Sequence, residues 1–348
     1  MIPQTDISPV DWRAQLRDVI ASGDELLHLL HLQPAQHGYS SVAAQDFALK
    51  VPRAFVGRMR KGDPDDPLLR QVLASADELL VVPGYSADPV GETGEAIRRP
   101  GIIQKYRGRL LLMLSSGCAI NCRYCFRRHF PYNANQNSRS EWLQALEYIA
   151  ADNSISEVIF SGGDPLLVAD EQLAELINRL ASIDHVKRVR VHTRLPVVIP
   201  ERVTPALLDA LAGSRLRASV VIHSNHANEL DSAVAAAMQA LHSRGITLLN
   251  QAVLLRGVND NQKALVELSE RLFEINVLPY YLHLLDKVQG AAHFDVPAQR
   301  ALTLMEQLAA ELPGYLVPRL VREEEGQPAK VAVINGRAVL AAQDSSTP

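Results

Sequence analysis

The chain has 348 residues, 47% of them hydrophobic, and its 35 lysine and arginine residues stand against 39 aspartate and glutamate residues, which leaves a net charge of −4. Such a chain can bury a full core, and its slightly acidic balance gives no general reason to expect nucleic-acid binding. Its apolar runs are shorter than the ~18–20 residues of a transmembrane helix and its first residues lack a signal-peptide pattern, so we expect a cytoplasmic protein with reduced thiols.

Residues 1–100 predict a helical, loop-rich N-terminal extension. Apolar residues recur at helical spacing in Asp11–Ile20 and again in Asp24–Leu30. Two turn-rich breaks follow, at 61–67 and 83–89. The extension carries no evident catalytic motif, so we expect it to pack against the rest of the chain or to form contacts in a homo-oligomer.

Between residues 101 and 312 the sequence alternates between apolar runs of strand length and segments of helix length. The predicted strands are 110–114, 157–160, 189–193, 218–223, 246–251 and 277–283, and the predicted helices that follow them are 142–151, 171–180, 205–211, 233–244, 263–273 and 297–312. Apolar strands that alternate with helices are typical of parallel βα units, so an α/β fold of six such units is expected. The C-terminal segment, 313–348, adds predicted strands at 317–321 and 331–334 and ends in a predicted disordered tail, Ser345–Pro348.

Polar residues collect where the predicted strands end. They are the cysteine loop, Gly162-Gly163-Asp164, His192–Arg194, His223–His226, Asn250–Gln251 and Asp286. In parallel α/β folds, ligands bind at the carboxyl ends of the strands. We therefore expect one ligand site at this end of a partial barrel.

All three cysteines lie within one stretch of eight residues, as Cys118, Cys122 and Cys125. Thiolates are ligands for iron–sulfur clusters and for zinc, and three of them leave one metal position for another ligand. From the residues alone, a structural zinc site completed by His129 is the alternative to a cluster. The corresponding alternative function is a zinc-binding module that binds RNA through the basic run 123–129.

The spacing of the cysteines, with Tyr124 before the last one, resembles that of the radical S-adenosylmethionine (SAM) enzymes. In that superfamily the three thiolates bind three irons of a 4Fe–4S cluster, and SAM binds the fourth. The segment Ser161-Gly-Gly-Asp164, one βα unit later, is similar to the loop that contacts the amino end of SAM. The resemblance implies a partial (βα)6 radical SAM barrel, with Gly162, Gly163 and Asp164 among its cofactor-binding residues.

The chain from about residue 50 to residue 335 is similar to the lysine 2,3-aminomutase family within that superfamily. The resemblance is carried by Arg109, Cys125–Arg128, 250–260 and 279–282, and by Asp286 with His293 and Phe294. It implies an isomerase that moves the amino group of L-lysine from Cα to Cβ. The implied cofactors are the 4Fe–4S cluster, SAM and pyridoxal 5′-phosphate (PLP).

This family resemblance also implies roles for residues that bind PLP. Lys330 matches the lysine that holds PLP covalently, and Arg109 matches a ligand of its phosphate. His223 and Gln251 are included in the implied cofactor-binding surface. Without the resemblance, the sequence alone would predict that Lys330 is a solvated loop residue and that Arg109 is a surface charge.

Three charged residues match positions that bind the substrate. Arg127 falls on the arginine that pairs with the α-carboxylate, a bidentate task that suits a guanidinium. Asp286 and Glu323 fall on two residues that bind the ε-ammonium, with Glu323 in place of the family's aspartate. Two anionic side chains favour a cationic substrate such as lysine over glutamate. Without the resemblance, the sequence alone would predict that these three residues are ordinary charged side chains on the surface or in loops.

Two differences from the catabolic enzymes of the family indicate which branch of that family the chain resembles. The chain lacks their extra zinc-binding cysteines, and Glu325–Ala329 replaces a glycine-rich approach to the PLP lysine. This shorter form resembles the bacterial branch that makes (R)-β-lysine, which a separate ligase attaches to elongation factor P. The implied partners are L-lysine, an electron donor such as flavodoxin or ferredoxin, and a functional link to that factor and its ligase. A catabolic lysine enzyme, or an aminomutase of another amino acid, is the alternative within the family.

Overall fold

The computed structural model describes residues 11–33, 38–132, 139–334 and 337–339, so the predicted tail Ser345–Pro348 lies outside the described residues. The helices are α1 (Trp12–Arg17), α2 (Gly23–Leu29), α3 (Ser41–Asp46), α4 (Arg53–Val56), α5 (Pro67–Arg70), α6 (Arg139–Ala151), α7 (Asp170–Ala181), α8 (Leu195–Val198), α9 (Pro205–Ala212), α10 (Ser232–Ser243), α11 (Gln262–Glu274) and α12 (Ala298–Glu311). The strands are β1 (Val19–Ile20), β2 (Val51–Pro52), β3 (Ile97–Arg99), β4 (Ile102–Tyr106), β5 (Arg109–Ser115), β6 (Glu157–Gly162), β7 (Arg188–Thr193), β8 (Arg217–His223), β9 (Thr247–Val253), β10 (Leu278–His283), β11 (Arg319–Arg322), β12 (Val331–Ile334) and β13 (Arg337–Val339).

The described part of the chain forms one sheet of eleven strands, in the order β13-β12-β11-β10-β9-β8-β7-β6-β5-β4-β3, and a small pair, β1 and β2. Strands β5 to β11 run parallel, while β3 and β4 at one edge and β12 and β13 at the other run antiparallel. Each strand from β5 to β10 is followed by a long helix, which gives the six predicted βα units. Strand β11 follows α12 and adds a further parallel strand.

The two faces of the sheet have different surroundings. On β5, Leu110, Leu112 and Leu114 belong to the large core shared with the helices, whereas Met113 packs in a separate cluster with Ile103. Side chains alternate between faces along a strand, so the odd-numbered positions of β5 point away from the helices. The helices cover one face, and the other face is the interior of the barrel.

The two ends of the sheet meet across that interior. Lys105 on β4 lies with its Nζ 2.9 Å from Oε1 of Glu323, which directly follows β11, and the hydroxyl of Tyr106 donates to the same oxygen. In the order of the sheet β4 and β11 have six strands between them. The contact therefore requires the sheet to curl, and it confirms the predicted partial barrel.

The N-terminal extension packs against the barrel and the cysteine loop. One buried cluster runs from Trp12 to Val333, so the extension shares the core of the barrel. Arg123, in the cysteine loop, is fully buried and donates to Glu78 at 2.5 and 2.8 Å and to the carbonyl of Ala43 at 3.2 Å. The division of the chain at residues 100 and 312 stays a prediction.

The prediction of one helix over Asp11–Ile20 is wrong at its C-terminal end. The helix ends at Arg17, and Val19 and Ile20 pair with Val51 and Pro52 as a short antiparallel strand. Both residues are β-branched, and strand pairing buries Ile20 completely in the core. None of the helices that the structure describes combines the length and the apolar character that crossing a membrane requires.

The buried pair between Arg123 and Glu78 should contribute strongly to stability. We expect Glu78→Ala to lower the free energy of unfolding by roughly 3–5 kcal/mol, because it leaves a buried guanidinium without its carboxylate. As a control, Asp209→Ala breaks a pair with Arg244 in which both side chains are largely exposed, and should cost less than about 1 kcal/mol. Urea denaturation followed by circular dichroism measures both variants. Similar small losses in the two would contradict a stabilising role for the buried contact.

Candidate active site

The cysteine loop follows β5 at the carboxyl end of the barrel and is held by the N-terminal extension. The N–H of Asn121 donates to the carbonyl of Lys50 at 2.9 Å, and Nζ of Lys50 donates to the carbonyl of Cys118 at 2.8 Å. Burial raises the pKa of Cys118, and it raises the pKa of Cys125 to about 11, with repulsion from neighbouring thiolates adding to both. The three thiols lie on one loop of eight residues, and as soft donors with one open position they fit a 4Fe–4S cluster.

The fourth ligand of the alternative zinc site lies elsewhere. Nε2 of His129 is 3.2 Å from the carbonyl oxygen of Gln289. Within the described ranges, no three His, Cys, Asp or Glu side chains are arranged as ligands of a single metal ion. A four-iron cluster is bound at its corners, so its cysteines need not converge on one point. The position of His129 disfavours the Cys3His alternative.

The two glycines after β6 serve the contact between loops. A Cβ on Gly162, whose φ is +124°, would lie 2.3 Å from the carbonyl oxygen of Ser115, and one on Gly163 would lie 2.0 Å from that of Gly117. The N–H of Gly163 donates to Ser115 and that of Asp164 donates to Gly117, both at 2.7 Å. The glycines thus allow the backbone of this loop to lie against the cysteine loop. A contact of either glycine with SAM stays a prediction.

Asp164 is engaged within the chain. Its buried carboxylate accepts hydrogen bonds from Thr193 Oγ1 at 2.7 Å and from the N–H groups of Arg194 and Leu195 at 2.8 and 2.9 Å. Burial raises its pKa, although these donors act in the opposite direction. Asp164 therefore joins the loop after β6 to the end of β7. A contact of Asp164 with SAM stays a prediction.

Three histidines on neighbouring strands face the barrel interior. They are His192 on β7, His223 on β8 and His283 on β10, and His223 is hydrogen-bonded to Gln251 on β9. Burial lowers the pKa of all three, that of His223 to about 3, so the imidazoles are neutral. The Nε2 atoms of His192 and His283 are buried without a hydrogen-bond partner among the described residues. Buried polar atoms of this kind are rare and indicate a site for a polar molecule.

Lys330 lies at this interior, immediately before β12. Its Nζ is 2.7 Å from Oε2 of Glu323 and 6.0 Å from the ring centre of Tyr281, and its side chain is 26% exposed. The positive charge of Lys330 adds to the lowering of the pKa of all three interior histidines, so its ammonium group lies within electrostatic range of their imidazoles. A reachable lysine beside orphaned imidazole nitrogens fits PLP, a polar ring that binds covalently to an amine.

Glu323 is occupied by residues of the chain itself. Its two oxygens accept hydrogen bonds from Lys330, Lys105 and Tyr106. Burial opposes its ionisation, but the two lysine charges outweigh it and lower the pKa of Glu323 to about 2. In this structure the carboxylate holds Lys330 and Lys105, and the expected contact of Glu323 with the substrate ammonium stays a prediction. The guanidinium of Arg109 stacks 4.5 Å from the ring centre of Tyr106 and adds another cation beside this cluster.

Arg127 also has a partner that the sequence did not reveal. Its Nε and Nη2 donate to the two carboxylate oxygens of Glu92 at 2.6 and 2.9 Å, and its Nη1 donates to Ser161 and Gly162 at 3.0 and 3.1 Å. A substrate carboxylate would have to displace Glu92 from this bidentate position. Glu92 lies in a loop just after the turn-rich segment 83–89, where no periodic pattern marks it as buried.

Asp286 follows β10 and lies within reach of the charges of Lys330, Glu323 and Glu92. Burial raises its pKa to about 7, and the charges of Glu323 and Glu92 add to this while Lys330 opposes it. Its Oδ1 atom is buried and lacks a hydrogen-bond partner within the described part of the chain. A carboxylate in this position can bind a cation brought in by a ligand.

Comparison with known proteins identifies the family. The family model described as "Radical SAM superfamily" matches residues 112–269. Over 321 residues the chain is 52% identical to the L-lysine 2,3-aminomutase of Escherichia coli strain K12, covering 92% of this chain and 93% of that protein. It is 49% identical over 320 residues to the L-lysine 2,3-aminomutase of Haemophilus influenzae, covering 92% and 94%. The chain belongs to the lysine 2,3-aminomutase family of radical SAM enzymes.

A more distant relative shows the same membership over nearly the whole chain. The L-lysine 2,3-aminomutase of Clostridium subterminale is 32% identical over 335 residues, which cover 96% of this chain and 80% of that protein. Membership of the lysine 2,3-aminomutase family confirms that the chain is a radical SAM enzyme of the isomerase class. It also implies the cofactor set expected from the sequence, a 4Fe–4S cluster, SAM and PLP.

The raised pKa of Asp286 predicts how this aminomutase-family site binds a cation. Only the ionised carboxylate attracts an ammonium group, so affinity should rise with pH until the pKa near 7 is passed. The lysine side chain, with an ordinary pKa of about 10.4, stays charged throughout. We expect the dissociation constant for L-lysine, measured by calorimetry on the reconstituted protein, to be about tenfold higher at pH ~6 than at pH ~8. Asp286→Asn should bind weakly and without this dependence, and a flat profile for the unchanged protein would contradict the assignment.

Proposed function

We propose that the protein converts L-lysine to (R)-β-lysine in the cytoplasm, with PLP on Lys330 and with SAM on a 4Fe–4S cluster bound by Cys118, Cys122 and Cys125. The observation that carries the proposal is the placement of Lys330 among neutral imidazoles with orphaned nitrogens, inside the barrel that also carries the cysteine loop. When bound, the cluster and SAM supply a 5′-deoxyadenosyl radical, and PLP supplies the covalent anchor for the migrating nitrogen.

The interior polar residues support a role in holding PLP. Glu323 holds the amine of Lys330 at 2.7 Å, and the charge of that amine acts on all three interior histidines. His192, His283 and the pair His223–Gln251 offer neutral hydrogen-bonding groups to a ring and its substituents. Arg109 supplies the positive charge that a phosphate requires.

Arg127 and Asp286 support the choice of a cationic amino acid. Arg127 is already in a bidentate pair with a carboxylate, that of Glu92, so its geometry suits the α-carboxylate of a substrate. Asp286, whose pKa is raised toward neutrality, gains its ionised form when an ammonium group arrives. A glutamate side chain would instead meet the carboxylate of Asp286 with the same sign of charge.

The segment 85–93 supports the exclusion of water from this site. Ser86 pairs with Val288 beside Asp286, and the carbonyl of Val90 accepts from Nζ of Lys105 at 2.8 Å. A Cβ on Gly91 would lie 2.7 Å from the side chain of Glu325, so the segment packs closely against the loop that leads to Lys330. Covering the barrel mouth protects a reactive radical from solvent.

We further propose that the product serves the modification of elongation factor P. One supporting observation is that the sequence given holds no cysteines beyond Cys118, Cys122 and Cys125. The other is that the chain is 52% identical to the Escherichia coli protein but 32% identical to the Clostridium subterminale one. A low-potential carrier such as flavodoxin or ferredoxin would supply the electron.

Product analysis tests the proposed reaction. The protein is reconstituted anaerobically and incubated with SAM, PLP, dithionite and either L-lysine or L-glutamate. We expect β-lysine from lysine and no β-glutamate. Asp286→Asn should lower kcat/KM for lysine by about 10- to 100-fold, since a charged hydrogen bond contributes roughly 1.5–3 kcal/mol. Asp209→Asn, a control on an exposed helix position, should leave turnover unchanged. Comparable turnover of glutamate, or full activity of Asp286→Asn, would contradict the proposed substrate.

A further inference from the structure

One charged side chain outside the proposed substrate site touches a cluster ligand. Arg194, directly after β7, lies with its Nη1 2.7 Å from Sγ of Cys122 and 2.8 Å from the hydroxyl oxygen of Tyr124. The guanidinium is buried, and arginine remains protonated in proteins. Cys125 instead interacts with the backbone N–H of Arg127, and the charges of Arg127 and Arg128 also act on it. Of these two cysteines, Cys122 is the one whose sulfur accepts from a charged donor.

Three other parts of the chain fix the position of this guanidinium. Its Nη2 donates to Oε1 of Gln71 at 2.7 Å and to Oε2 of Glu229 at 2.9 Å. Gln71 belongs to the N-terminal extension, and its backbone carbonyl also accepts from the N–H of Arg123 in the cysteine loop. The N–H of Arg194 itself is tied to Asp164 at 2.8 Å. Arg194 cannot turn away from Cys122 without breaking several buried hydrogen bonds.

The carboxylate that neutralises Arg194 is also immobile. Glu229 is fully buried, and its Oε1 accepts from the side chain of Gln71 at 3.1 Å and from the N–H groups of Asn225 and His226 at 2.9 and 3.1 Å. The positive guanidinium thus stands between a fixed carboxylate and the sulfur of Cys122. In a buried site with little screening, each of these charges acts strongly on a group beside it.

We propose that Arg194, held by Glu229 and Gln71, is a positioning residue that orients Cys122 and raises the reduction potential of the cluster. Reduction adds one electron, taken from a low-potential one-electron donor, and makes the cluster and its thiolates more negative. A cationic N–H donor to a ligand sulfur stabilises that reduced state. The electron then passes to the sulfonium of SAM, whose S–C5′ bond breaks to give methionine and the 5′-deoxyadenosyl radical. The inference rests on the proposed function only for the presence of the cluster on these cysteines.

The arginine and its carboxylate should shift the potential in opposite directions. In Arg194→Gln the sulfur loses its cationic donor, so the midpoint potential becomes more negative. In Glu229→Gln the arginine loses its neutralising partner, so the potential becomes more positive. The double variant Arg194→Gln/Glu229→Gln leaves no unpaired buried charge, and its potential also lies below that of the unchanged protein. Arg202→Gln is the matched control, because Arg202 is an equally buried arginine that is likewise paired with a carboxylate, that of Asp170 at 2.7 Å. Its other hydrogen bonds go to the carbonyls of Leu166 and Val168.

The test is a redox titration of the reconstituted proteins in the absence of SAM and lysine. Electron paramagnetic resonance measures the reduced cluster at each potential. At a fixed ambient potential we expect the ratio of reduced to oxidised cluster to fall about tenfold in Arg194→Gln, equivalent to a shift of ~59 mV for one electron. Arg202→Gln should match the unchanged protein. An unchanged or more positive potential in Arg194→Gln or in the double variant would overturn the proposal.

Iron and sulfide content and circular dichroism accompany each titration. If Arg194→Gln fails to hold a cluster, Glu229→Gln still carries the test, because it keeps the arginine, and the lack of a positive shift there would overturn the proposal. An unchanged protein that binds no four-iron cluster would instead contradict the proposed function. The two failures are therefore distinguishable by the iron content of the unchanged protein.

Discussion

The carboxylate of Glu323 is the point on which the geometry of the barrel interior depends. It accepts from Lys105 and Tyr106 at one end of the sheet and from Lys330 at the other. These partners lie at opposite ends of an open sheet. One buried carboxylate therefore both joins the two ends of the curled sheet and fixes the position of Lys330. Two cations offset its desolvation, and they hold its pKa near 2. Glu323 thus has a structural task, and its expected contact with the substrate stays a prediction.

The site has two halves that share this interior. The cysteine loop is fixed by buried contacts to the N-terminal extension, notably the pair of Arg123 with Glu78. Lys330 and the histidines form the other half, and Asp286 lies within reach of the charges of Lys330 and Glu323. Radical chemistry requires a reactive carbon to meet its target at a fixed distance with water excluded. Rigid attachment of each half to the barrel meets this requirement.

The sequence predicted the features that local pattern controls. The six βα units follow from apolar runs alternating with helices, and Cys118, Cys122 and Cys125 are adjacent in the chain. It missed contacts made by tertiary packing. Glu92 pairs with Arg127 across 35 positions, and Lys105 pairs with Glu323 across 218 positions. No spacing rule connects such residues, because their meeting depends on the curl of the sheet and on loop paths.

The most direct test of this account is to find which amine binds PLP. The protein is loaded with PLP, reduced with borohydride, digested and mapped by mass spectrometry. Lys330 and Lys105 both contact Glu323, but the side chain of Lys330 is 26% exposed and that of Lys105 only 14%. The account predicts the pyridoxyl label on Lys330, and its loss in Lys330→Arg. A label on Lys105 in the unchanged protein would contradict it.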